Sequence, residues 1–271
     1  MNPIEAYYDE IAGHEWERLD RHRIEFAITL RALREYLPPA PLAIIDIGGG
    51  PGRYAIALAR RGDDVTLFDL SQSSLDLARV KADEAQVTLS GYVHGNATDL
   101  AQFTTGSFDA ALLMGPLYHL LEPPERSRAV SEAQRVLKSG GLIFATFITR
   151  TAPIRYAALN DPQWLVKERE RIDSFLSDGV YRAPSPGSGF TDAYFAHPAD
   201  IKPLFEKAGF QPLALLACEG IVSQIDRHLN LLSGDLWQEW VDLNYRFASD
   251  PAIHGTAEHL LYIGKKMDSG S

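Results

Sequence analysis

Cysteine is almost absent from this 271-residue chain: Cys218 stands alone, which excludes an internal disulfide framework and a thiolate metal cluster. It reads as a small apolar residue on a strand. There is no His-Glu-x-x-His, no cysteine pair and no carboxylate run at ligand spacing, so no metal is expected. Dense Lys/Arg runs are missing too. With 26 basic against 36 acidic side chains the net charge is −10, which argues against nucleic acid and anionic membranes as partners. The longest apolar runs are strand-length, far short of a membrane span. The first residues, Met-Asn-Pro-Ile-Glu-Ala-Tyr-Tyr-Asp-Glu, are acidic and aromatic, unlike a secretory signal, so a cytoplasmic protein is expected. No internal repeat is visible, and the length fits one large domain or a domain with an appended cap.

What the chain does have is one strongly patterned stretch, Ile44-Ile45-Asp46-Ile47-Gly48-Gly49-Gly50-Pro51-Gly52-Arg53. Branched apolar residues run into three glycines, and an alanine-rich helical pattern, Tyr54 to Arg61, follows. This predicts a buried parallel strand, a tight turn and a helix start, with a ligand site at the carboxyl end of the strand. A dinucleotide fingerprint, Gly-x-Gly-x-x-Gly, would need a third glycine where Arg53 stands; the pattern here is Gly-x-Gly-x-Gly. Asp46 lies near the end of an otherwise apolar strand, and a buried carboxylate needs a partner, such as a ligand amino group. An ordinary nucleotide-type glycine turn remains an alternative at this point.

Further along, Asp64–Asp69 reads as a second strand, ended by Asp69 about where nucleotide-binding sheets grip ribose hydroxyls. A helix from Ser71, its N-cap, to about Ala85 follows. Strands are predicted over 87–94, 107–114, 142–148 and 210–217, with His259–Ile263 closing the sheet. Helices are predicted over 19–37, 124–137 (closed by Lys138-Ser139-Gly140-Gly141), 163–176, 198–209 and 235–247. The Pro/Gly/Ser stretch Ala183–Gly189 reads as a mobile loop. Strands alternating with helices predict an α/β doubly wound, mostly parallel sheet.

Taken in order, these motifs resemble the class I S-adenosylmethionine (SAM)-dependent methyltransferases over nearly the whole chain. Beyond the glycine turn, Asp69 matches the ribose-binding acid and Asn96-Ala97 the adenine-contacting pair, usually Asp-Ala. Glu132-Ala133-Gln134-Arg135-Val136-Leu137-Lys138-Ser139-Gly140-Gly141 matches the helix and turn before the fifth strand. Gly115-Pro116-Leu117-Tyr118-His119-Leu120 and Phe190-Thr191-Asp192-Ala193-Tyr194-Phe195 are similar to segments of small-molecule methyltransferases of the ubiquinone/menaquinone type. The resemblance implies a Rossmann-like seven-stranded sheet under a helical cap. Its parts would be an N-terminal helical lid (1–40), a SAM-binding core (41–148), a cap insertion (149–195), a C-terminal completion of the sheet (196–267) and a disordered tail (268–271).

By the same resemblance, SAM is the cofactor and S-adenosylhomocysteine the product. Asp46, Gly48, Gly50 and Arg53 belong to the turn that would hold its amino-acid end, and Asp69 would accept both ribose hydroxyls. Leu70 and Ala97 would flank the adenine, and Asn96 would bond its amino group through the side-chain carbonyl. Met114 and Gly115 would line the methyl path. Aromatic rings can stabilise a sulfonium without competing as nucleophiles, which singles out Tyr8, Trp16, Tyr118 and Tyr194. His119 is the candidate general base. Glu15 and Arg18 are candidates for holding the acceptor or the SAM carboxylate, and the arginines 150, 155, 169 and 171 for drawing in an anionic acceptor. The expected partner is a small-molecule acceptor, with a homodimer as the assembly to consider. Two other classes share these motifs: a SAM-binding protein with regulatory or non-methylating chemistry, and an NAD-dependent oxidoreductase. Asp46 and the missing third glycine speak against the latter.

Overall fold

The computed structural model describes residues 3–184 and 191–268. Two helices open the chain, α1 (Pro3–Arg21) and α2 (Arg23–Tyr36). The helix expected from Leu19 to Leu37 is thus divided at His22, whose φ of −116° and ψ of 53° leave the helical region. Tyr8, Glu15 and Arg18 all lie on α1. Then come β1 (Ala43–Ile47), α3 (Arg53–Arg61), β2 (Asp64–Asp69), α4 (Gln72–Glu84), β3 (Gly91–His94), β4 (Phe108–Leu113), α5 (Pro123–Val136) and β5 (Leu137–Ile148). Short helices α6 (Ala152–Asn160), α7 (Trp164–Lys167) and α8 (Arg169–Asp178) lead to a small hairpin, β6 (Val180–Tyr181) with β7 (Ala193–Tyr194). The chain returns through α9 (Pro198–Lys207), β8 (Phe210–Ala217), α10 (Gly234–Phe247) and β9 (His259–Lys266).

The seven-stranded sheet has the order β3-β2-β1-β4-β5-β9-β8, parallel except for β9, which runs antiparallel to both neighbours. From β1 the chain winds outward to β2 and β3, then returns to lay β4 on the other side of β1. That reversal opens a crevice at the carboxyl ends of β1 and β4, where open α/β sheets bind ligands. Strands buried on both faces explain the unbroken apolar runs. Ile45, Ile47, Leu113 and Ile143 join the layer that α5 and α9 cover, while Ile44, Leu112 and Phe144 face the layer of α2 and α3. Cys218 is fully buried in the second of these layers.

Three element boundaries differ from expectation for local reasons. The third strand begins only at Gly91, because the Val87 amide still bonds back to Ala82 at the end of α4. Lys138–Gly141 is not a turn ahead of the fifth strand but a bulge within it: the register with β4 passes from Phe108–Leu137 to Ala110–Leu142. The helix expected over 163–176 is split at Glu168 into α7 and α8. Most of the expected Ala183–Gly189 loop, Phe190, and the tail beyond Asp268 lie outside the described residues. No described helix is long and apolar enough to cross a membrane.

Candidate active site

The glycine turn leaves β1 directly into the crevice. The Gly48 amide donates to Phe68 O (2.7 Å), which ties the turn to the end of β2. Gly48 has φ +71°, and a Cβ there would stand 2.4 Å from the Pro116 ring. At Gly49 a Cβ would come within 2.5 Å of the Asp46 carboxyl and of Leu67. The turn is therefore closed to side chains and leaves its backbone bare to the cleft.

Under this turn sits Asp46, 1% exposed, and neither of its oxygens completes a hydrogen bond. Burial, and then the negative charge of Asp69, push its carboxyl up to about 7; the Ala55 amide offsets this only in part. Asp69 is differently placed. Its two oxygens accept the amides of Gly50 (2.7 Å) and Ser71 (2.8 Å), though burial still raises its pKa. Ser71 caps α4 by accepting the Ser74 amide, and its hydroxyl donates to Asp9 of α1 (2.7 Å). Asp9 also accepts the Ser73 amide, so the N-terminal helix is pinned to the β2 end of the cleft.

On the far side, Asn96 closes a turn in which its carbonyl oxygen accepts both the amide and the hydroxyl of Thr98, each at 2.9 Å. The expectation that this carbonyl receives an adenine amino group needs revision. With that oxygen engaged twice, what Asn96 offers a ligand is its amide donor.

His119 lies just after β4. Its Nε2 is 2.6 Å from the Tyr8 hydroxyl, and its Nδ1 is 3.2 Å from Thr191 Oγ1. The Thr191 hydroxyl donates to Asp192 O, so its oxygen is left to accept an Nδ1–H. The network thus assigns the proton to Nδ1 and leaves Nε2 to accept from Tyr8. Burial drives the imidazole down to about 4, only partly offset by the Asp192 backbone, so it is neutral near pH 7. Burial also raises the Tyr8 and Tyr118 phenols.

The cleft is lined by Tyr8, Glu15, Arg18, Asp46, Gly48, Gly50, Arg53, Asp69, Leu70, Asn96, Ala97, Met114, Tyr118 and His119, together with Ile4, Leu19, Tyr54, Phe68 and Leu120. Tyr194, expected at the site, is not among them. It is buried in the β6–β7 hairpin beneath the Arg126 guanidinium, 3.6 Å away, and does not line the cleft. Arg126 in turn donates to Leu120 O and Leu121 O, so Tyr194 supports the His119 loop from behind. Trp16 is also elsewhere, stacked with Arg53 and Lys81 on an adjoining groove. Glu15 is ion-paired to Arg18 (3.0 Å), which suits holding better than proton removal. None of the arginines 150, 155, 169 and 171 lines the cleft. Arg150 donates to Phe195 O and Leu176 O, Arg155 to Ser223 O, and Arg171 pairs with Glu168.

One cluster was not anticipated from the sequence. Arg18 donates from Nη1 and Nη2 to the two oxygens of Glu25 (2.7 and 2.9 Å), and Glu25 lies 3.7 Å from His259, which is paired with Glu219 (2.6 Å). Glu25, Glu219 and His259 are buried and close enough to share a metal ion, but the guanidinium and the imidazole proton already occupy their oxygens. Burial opposes both ionised forms. Arg18 and His259 nevertheless hold Glu25 down at about 2, and the two glutamates raise His259 to about 9. A sequence signal for Glu25 did exist: it falls in step with Ile28, Thr29 and Ala32 on the buried stripe of α2.

Comparisons with known proteins bear on the family and the fold. A family profile described as "Methyltransferase domain" matches residues 45–145. The ubiquinone biosynthesis O-methyltransferase of Xanthomonas axonopodis pv. citri is 30% identical over 184 residues, 68% of this chain and 69% of that protein. The protein of the same name from Paracidovorax citrulli is 32% identical over 156 residues, 56% of this chain and 64% of its own length. Among solved structures, a SAM-dependent methyltransferase from Thermotoga maritima shares the fold with a TM-score of 0.61 at 19% identity, covering 97% of this chain and 99% of that one.

Proposed function

Because this chain belongs to the class I SAM-dependent methyltransferases, we propose that it carries a methyl group from SAM to the hydroxyl of a small, largely apolar molecule. One observation carries the placement of the cofactor: a buried Asp46 carboxylate without a hydrogen-bond partner, under a glycine turn that has no room for a Cβ at Gly48 or Gly49. A ligand ammonium would relieve both the missing hydrogen bonds and the charge of Asp46. The residues thus fit the cofactor. Asp46, Gly48 and Gly50 would hold its amino-acid end, Asp69 its ribose hydroxyls, and Leu70 and Ala97 its adenine. Asn96 would donate to a ring nitrogen of the adenine. Arg53, whose guanidinium donates to Asp20 and Trp16 O, would steady the turn from outside.

When bound, the cofactor supplies an electrophilic methyl on a sulfonium. The chain's own part is to orient the acceptor, exclude water and take up one proton. The acceptor oxygen becomes a strongly acidic oxonium as its bond to carbon forms, so even a weakly basic imidazole suffices to remove the proton. Tyr8 stands on Nε2 of His119 and would relay: its oxygen takes the acceptor proton while its own passes to Nε2. A hydroxyl acceptor is favoured by this pair and by the O-methyltransferase names of the relatives. The segments 1–40 and 149–195 would select it. The net charge of −10 favours a neutral small molecule over nucleic acid, in a cytoplasmic setting.

The test is release of S-adenosylhomocysteine with a panel of phenols and catechols. With His119 at about 4, kcat is expected to stay flat from about pH 6 to 9 and to fall below about pH 5. His119→Ala should lower kcat by about 10²–10³. An inflection near the ordinary histidine value, or full activity in His119→Ala, would remove the relay.

A further inference from the structure

The buried cluster behind Arg18 has no role in the chemistry above. It forms a row of alternating charges, Arg18, Glu25, His259 and Glu219, contributed by α1, α2, the start of β9 and the segment after β8. Glu219 is anchored on both oxygens: Oε1 to the His259 ring and Oε2 to the His259 backbone amide (2.8 Å). Only Arg18 of the four reaches the cleft. A buried row of ions is seldom retained for stability alone, since apolar side chains of similar volume would serve as well. What it provides is position. Arginine has five N–H donors in a rigid plane. Glu15 takes the one on Nε, and Glu25 takes one from each Nη, so a second N–H on each terminal nitrogen remains.

We propose that Glu25, His259 and Glu219 are positioning residues that lock Arg18 in a single orientation, from which one of its two remaining, diverging N–H groups donates to the carboxylate of the bound cofactor. This rests on reading the cleft as the SAM site. Asp46 and Arg18 then divide the two charges of the cofactor's amino-acid end, the anion taking the ammonium and the cation the carboxylate. Such a charge-assisted bond depends on the orientation of the fork, so it weakens when the guanidinium is free to turn, even though Arg18 itself is unchanged.

The experiment compares binding of S-adenosylhomocysteine with that of 5′-methylthioadenosine, which lacks the amino-acid end, by calorimetric titration. Wild type, Glu25→Gln and His259→Gln are each measured, with Arg18→Lys as a variant that leaves the buried row its charge. All three variants are expected to lose about 10- to 100-fold in S-adenosylhomocysteine affinity while 5′-methylthioadenosine binds within about threefold of wild type. Equal losses for both ligands would mean a general structural role and overturn the proposal. Unchanged affinity for both, with a raised acceptor KM, would assign Arg18 to the acceptor and overturn it too. If wild type bound neither ligand, the reading of the cleft itself would fall, and the proposal with it.

Discussion

Replacing Asp69 with alanine is expected to weaken S-adenosylhomocysteine binding by a factor of 10² or more. Asp69 does two jobs with one carboxylate. Toward the protein it accepts the Gly50 and Ser71 amides, fixing the glycine turn relative to the start of α4. Toward the ligand, on the proposed reading, it would accept the ribose hydroxyls. Hydrogen bonds to a charged group contribute about 1.5–3 kcal/mol each, so losing two on the ligand side alone amounts to about 3–6 kcal/mol, or a factor of about 10²–10⁴. Stability should fall as well, because two turn amides lose their partner. Asp69→Asn discriminates further: its amide nitrogen would face the Gly50 or Ser71 N–H, donor against donor, so it too should bind at least tenfold more weakly. Calorimetric titration at pH 7.5 checks both variants. An affinity within threefold of wild type in Asp69→Ala would place the ribose elsewhere.

Asp46→Asn should separate stability from binding. Folding raises the Asp46 carboxyl from 3.8 to about 7. A group whose folded pKa lies above its unfolded value binds its proton more tightly in the native state. Its contribution is intact below pH 4 and is lost as pH rises through 7. By pH 8 an unliganded protein therefore carries a penalty of about 4 kcal/mol at most, taking 1.36 kcal/mol per unit over the cited shift. Asparagine cannot ionise and escapes it. Asp46→Asn should then melt about 5–10 °C higher than wild type at pH 8 and within a degree or two of it at pH 4. The same change removes the counter-charge for the ligand ammonium, so S-adenosylhomocysteine affinity should drop about 100-fold. In wild type, that affinity should rise with pH from about 5.5 and level off above about 7.5, as Asp46 must ionise to bind. Differential scanning fluorimetry and titration across pH test the two halves. A lower melting temperature for Asp46→Asn at pH 8 would contradict the account.

The parts of the site that could be read from the sequence are those built from consecutive residues. Ile44–Arg53 codes strand, turn and helix start within ten positions, and Asp69 and Asn96 follow at the ends of the next strands. Each owes its place to the local turn that it terminates. The Asn96 side chain shows the limit of such reading. Its position at the cleft was legible, but Thr98, two residues on, takes its carbonyl and so reverses what it presents. Tyr194 misled for a different reason. Its motif lies on a hairpin whose placement depends on the Arg126 guanidinium of α5, a distant packing choice. The row from Arg18 to Glu219 was illegible as a whole because four separate segments supply it. Only Glu25, a carboxylate on an apolar stripe, hinted at it. The bulge at Lys138–Gly141 resembled a turn because its two glycines are turn residues, whereas the register to β4 is set by apolar residues on either side.

The measurement that tests the central claim most directly is titration of the wild-type protein with S-adenosylhomocysteine, with NADH as the competing ligand. The account predicts one site per chain with micromolar affinity for S-adenosylhomocysteine, weakening as pH falls below 7, and no heat from NADH. Binding of NADH, or a cleft that takes neither ligand, would contradict it.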